Sequence, residues 1–112
     1  DELTRRSQSD ARYSRLNLKN VGVVGQSFGG YTVFALAGAS LNFAQLNQDC
    51  QTAALDNTLN ISLLLQCRAA VLPTINYNLS DPRVKAVIAI NPITSSVFGQ
   101  SQLNQIKVPT MI

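Results

Sequence analysis

The chain predicts an α/β fold in which about three parallel strands alternate with helices and carry a small helical insertion. Three observations point to it. Val21-Gly22-Val23-Val24 is a short β-branched run that breaks at Gly25, and the apolar residues 28–37 continue it as a helix. A second strand-like run, residues 84–90, opens after the turn Asp81-Pro82 and closes at Asn91-Pro92. A third, residues 108–112, follows a short segment of helical character at residues 100–106. Strands alternating with helices imply a parallel sheet covered by helices on both faces, and the strand at residues 21–24, apolar on both sides, is expected at its centre.

With 112 residues the chain suffices for one domain, and its 46% hydrophobic content is that of an ordinary globular protein. A net charge of +3 is too small to imply a nucleic-acid partner. No apolar run approaches the length of a transmembrane segment. Residues 1–6 read as the last turns of a helix, with Arg5 and Arg6 near its carboxyl end, or simply as solvated surface. Residues 7–10 are polar and turn-like.

The sharpest motif is Gly25-Gln26-Ser27-Phe28-Gly29. Bare G-x-S-x-G arises by chance in roughly one chain in thirty of this length, so the surrounding strand, turn and helix carry the argument. In that context the spacing reads as a nucleophile elbow, a sharp turn that lifts a serine hydroxyl above the carboxyl end of a parallel sheet. The turn strains the serine backbone. The residues two before and two after it, Gly25 and Gly29, are expected to lack side chains because of close approach. The helix that follows points its amino end at the place where an oxyanion would form, which makes the backbone N–H of Phe28 a candidate donor. A rival reading is a phosphate cradle, since Gly25, Gly30 and Thr32 fall on positions of G-x-x-x-x-G-K-[ST]. Tyr31 stands where its lysine should be.

The stretches VGVVGQSFGGYTVFALAGA and DPRVKAVIAINP resemble the serine esterases of the α/β-hydrolase fold. They look closest to the branch holding platelet-activating-factor acetylhydrolase-like, dienelactone-hydrolase-like and polyester-hydrolase enzymes, bacterial predicted hydrolases among them. The resemblance implies a partial α/β-hydrolase sheet and cleavage of a small-molecule carboxylic ester through an acyl-enzyme on Ser27, with no cofactor. Such a sheet has about eight strands. Residues 1–112 are therefore expected to be the central part of one domain, with further residues before Asp1 and after Ile112.

A strand, crossover helix and second strand usually take about thirty residues, and residues 40–80 exceed that as an insertion. It reads as two short helices, residues 42–49 and 59–70, joined by a polar turn at Asp56-Asn57 and ended by Pro73. A cap beside the serine and an excursion away from it fit equally well. Cys50 and Cys67 both lie inside it. Paired, they would staple the insertion by about 3 kcal/mol and indicate a secreted or periplasmic location; unpaired, they are buried thiols of a cytoplasmic protein. Two cysteines without histidine cannot complete a zinc site. The serine- and threonine-rich residues 93–99 read as a loop at the carboxyl edge of the sheet, where Phe98 either lines a pocket or packs.

A serine hydroxyl needs a histidine to take its proton and a carboxylate to hold that histidine. The chain has no histidine. By the family order both partners follow Ser27, beyond Ile112, and the second oxyanion donor precedes Asp1. Asn91 stands where some relatives carry the acid, and an amide is a weak substitute. The 112 residues alone are thus expected to lack efficient esterase activity. A non-catalytic binding module that retains the elbow as architecture is the alternative.

Overall fold

Valine and isoleucine runs form the strands, and small residues let one helix lie close on them. The computed structural model describes residues 1–51, 61–92 and 95–112. In chain order these form helix α1 (Glu2–Ser9), strand β1 (Val21–Gln26), helices α2 (Phe28–Leu36), α3 (Phe43–Cys50) and α4 (Ile61–Cys67), a 3₁₀ turn (Arg68–Val71), strand β2 (Val84–Ile90), helix α5 (Ser95–Leu103) and strand β3 (Thr110–Met111). The sheet is parallel throughout, in the order β1-β2-β3. Val24 pairs with Ile88 and Gln26 with Ile90, so β1 and β2 end level at their carboxyl ends.

That order corrects one expectation. β2 is the middle strand and β1 lies at the edge among the described residues. Covering is one-sided too. Val87 and Ala89 turn into a core with Val33 and Phe34 of α2 and Val97 and Phe98 of α5, while on the other face Val24 is 64% exposed beside Ile88 and Ile90. An apolar run on both faces states that both could be covered, and the described helices cover one.

Asp1 accepts a hydrogen bond from the Thr4 N–H, so residues 1–6 begin a helix instead of ending one. Arg5 and Arg6 both pair with Glu2 on its solvated side. Residues 95–98, expected in a loop, belong to α5, which bends at Gly99 with φ 63°. Serine and threonine content suggested a loop, yet Ser96, Val97 and Phe98 are buried, and packing outweighs helix propensity there.

Residues 42–49 were expected as a helix, and α3 occupies residues 43–50 because Asn42 caps it, accepting from the Gln45 N–H at 3.1 Å. The same Asn42 donates its backbone N–H to Val97 O, which ties α3 to α5. The second insertion helix is shorter than residues 59–70. It gives way to the 3₁₀ turn at Arg68, and the Asp56-Asn57 turn lies outside the described residues. A disulfide joins Cys50 at the end of α3 to Cys67 at the end of α4.

Candidate functional site

Where β1 runs out, the backbone turns through Ser27 at φ 51° and ψ −114° and enters α2. A positive φ on a residue with a side chain costs about 1–3 kcal/mol and persists only when neighbours hold it. Ser27 is held from both sides. Its N–H donates to Ile90 O at 3.0 Å, which locks the turn to β2, and its carbonyl accepts from the Gly30 N–H at 2.9 Å.

The glycines divide the steric work differently from the expectation. A Cβ on Gly25 would lie 2.1 Å from Gly29 O, so the strand end and helix start meet backbone to backbone. A Cβ on Gly29 meets nothing within 4 Å, whereas one on Gly30 would lie 2.7 Å from Pro92 Cβ. Close approach therefore explains Gly25 and Gly30. Gly29 matters for its carbonyl.

The hydroxyl of Ser27 has no hydrogen-bond partner among the described residues, and Ser27 is half-buried. The Phe28 N–H likewise finds no acceptor, because it is the first N–H of α2. A free hydroxyl and a free N–H at a helix amino end are thus adjacent, the arrangement that receives an oxygen as it gains negative charge. Asn91 has the only other positive φ on a non-glycine residue among those described, 45°, and follows β2 as Ser27 follows β1. Its exposed amide stands at the same edge of the sheet.

Carboxylates are elsewhere. Asp81 lies at the amino end of β2, about 20 Å down the strand from the edge that carries Ser27, where Arg83 draws its carboxyl down to about 2 and an ion pair links Arg83 to Asp1 as well. Glu2 and Asp10 are held below the usual carboxylate range by hydrogen bonds from Arg5 and Arg12 respectively. Asp49 accepts from Gln45 on α3, and Asp56 lies outside the described residues. Among the described residues no group of three or more histidine, cysteine or acidic side chains gathers into a metal site.

A cavity of about 490 Å³ opens beside the elbow. Phe28, Tyr31 and Thr32 of α2, Leu65 and Gln66 of α4, Leu79, and Val97 and Phe98 of α5 line it, and almost all of this wall is apolar. Part of the insertion thus shares a cavity with the residue next to Ser27. Phe98 both lines the cavity and packs, being 1% exposed. Tyr31, at the lysine position of the phosphate-cradle reading, packs tilted against Phe28 and edge-on against Phe98, with ring centroids 5.7 and 5.8 Å away. Burial pushes its hydroxyl up to about 12, so it stays neutral. That loop offers an anion no cation among its described residues.

Gln66 was not singled out from the sequence, and its signal was a lone amide in Leu63-Leu64-Leu65-Gln66-Cys67. It is 4% exposed while Leu64 and Leu65 are 42% and 49% exposed. No family model matches the chain, and neither a curated protein nor a solved structure does.

Proposed function

We propose that these residues form the central part of a serine hydrolase of the α/β-hydrolase type that cleaves carboxylic esters. The observation that carries the reading is the backbone of Ser27, φ 51° and ψ −114°, with the neighbouring Phe28 N–H free of any acceptor among the described residues. Strained residues of that kind cluster at functional sites. In the proposed reaction Ser27 Oγ adds to the ester carbonyl carbon and loses its proton to a base. The carbonyl oxygen takes up negative charge and receives the Phe28 N–H. Collapse of this intermediate expels the alcohol, which is protonated as it leaves, and water hydrolyses the acyl-Ser27 ester in a second, equivalent step.

The chain has no histidine to serve as the base, and the carboxylates among the described residues are committed to other partners. The reading therefore assigns the base and its carboxylate to further parts of the domain and expects the 112 residues alone to turn over esters poorly. The cavity's apolar wall suits a lipid-like or short-chain acyl group, with polyester a looser possibility. The Cys50–Cys67 disulfide favours a secreted or periplasmic protein over a cytoplasmic one.

The same absence of histidine favours a second reading, a binding module that keeps the elbow without its chemistry. Reaction of the full-length protein with a fluorophosphonate, followed by peptide mapping, separates the two. Catalysis predicts a label on the Ser27 peptide that Ser27→Ala abolishes. A folded protein that takes up no label is the binding module.

A further inference from the structure

Gln66 reverses the pattern of its helix, being buried while Leu64 and Leu65, the two residues before it, are 42% and 49% exposed. Its side-chain Nε2 donates to Ser62 O at 3.2 Å. That bond fixes the amide, because flipping it would set Oε1 against a carbonyl oxygen. Oε1 is left as an acceptor with no partner among the described residues, and the Tyr31 hydroxyl is likewise buried and unpartnered. Both residues line the one apolar cavity beside Phe28. Buried polar atoms are nearly always hydrogen-bonded, so two without partners among the described residues, just behind the lining of one cavity, mark a place where a ligand group belongs.

We infer that the cavity takes an apolar chain bearing a hydrogen-bond donor, a hydroxylated acyl chain, with Gln66 Oε1 and the Tyr31 hydroxyl as its polar contacts. Oε1 can only accept, which selects a hydroxyl or N–H over an ether or ketone, and the Tyr31 hydroxyl can accept or donate. Both atoms are sealed from bulk water in this structure, so the ligand reaches them by shifting the side chains that line the wall. Such a site discriminates by leaving its own polar atoms unpaired when the wrong chain binds. Calling the chain an acyl group rests on the ester-hydrolase reading. The demand for a donor does not.

The test is calorimetric titration of the full-length Ser27→Ala protein with octanoate and with its 3-, 5- and 8-hydroxy derivatives. At least one hydroxyoctanoate is expected to bind about tenfold more tightly than octanoate. Gln66→Leu should erase that preference while octanoate binding holds or strengthens. Tyr31→Phe keeps the ring contacts and should reduce the preference, which covers the case in which Gln66→Leu fails to fold. Octanoate binding as tightly as every hydroxy derivative overturns the inference, since the bound chain then makes no use of these atoms. Fluorophosphonate labelling of the unsubstituted protein keeps the two readings separate. A donor preference without labelling retains the cavity assignment and removes its acyl-enzyme setting, and labelling without preference does the reverse.

Discussion

Around Ser27 the chain is held by backbone meeting backbone: Gly25 against Gly29 O, Ser27 N–H on Ile90 O, Gly30 against Pro92. In the described residues of the insertion Leu46 is anchored in the core and a disulfide joins α3 to α4, while burial around α4 runs against residue type, with Gln66 at 4% exposure and Val71 at 83%. The first region excludes side chains at Gly25 and Gly30, where the chain comes too close for a Cβ, and leaves room for one at Gly29. The second tolerates an inverted pattern because the disulfide supplies what apolar burial does not. The contrast also separates strain from looseness: the turn stores unfavourable backbone geometry within tight packing, while the insertion exposes apolar surface beside a cavity.

The sharpest way to break this comparison is Gly25→Ala set beside Gly29→Ala. A methyl group placed 2.1 Å from a carbonyl oxygen must separate β1 from α2, and a loss of about 3 kcal/mol or more in urea unfolding is expected. At Gly29 the methyl group meets nothing, and a change within about 1 kcal/mol is expected. Equal effects at the two positions would remove the claim that close approach governs the elbow.

Opening the staple comes next. Paired Cys50→Ser and Cys67→Ser substitutions are expected to lower stability by about 3 kcal/mol in the chain-entropy account. Hydrogen exchange should quicken in α3 and α4 and leave β1 and β2 protected. Uniform loss of protection would join the two regions into one cooperative unit.

Ser27→Gly addresses the strain itself. Glycine adopts positive φ freely, so a gain of up to about 1 kcal/mol in thermal stability is expected together with complete loss of fluorophosphonate labelling. A loss of stability would mean that the turn is relaxed as it stands.

The smallest effect is at the far end of β2. Asp81 in the folded chain titrates at about 2, below its ordinary 3.8, because Arg83 bonds its carboxylate. A depressed carboxylate stabilises the fold fully above about pH 4, and that contribution fades as the pH falls through 2. Arg83→Leu should raise the Asp81 midpoint toward 3.8 when followed by carboxyl-carbon NMR. An unmoved midpoint would contradict the pairing.

How far the sequence could be read follows the same division. The strand, turn and helix at residues 21–36 are set by local residue types, and their spacing was legible. The place of β1 in the sheet was not, because strand order depends on partners distant in sequence. α3 came out within one residue of expectation, with Asn42, read as its first residue, serving instead as its cap. The helix at residues 95–98 was missed because serine-rich composition hides a stretch stabilised by burial of Val97 and Phe98. Gln66 stood visible among leucines, but no local rule states which side of a short helix faces a cavity.

The central claim is that Ser27 is a nucleophile, and mass spectrometry of the full-length protein mixed with p-nitrophenyl octanoate tests it most directly. Acid quenching within the first turnovers should show one added octanoyl group, mapped to the peptide containing Ser27 and missing in Ser27→Ala. An acyl group on another residue, or ester hydrolysis that persists undiminished in Ser27→Ala, would contradict the account.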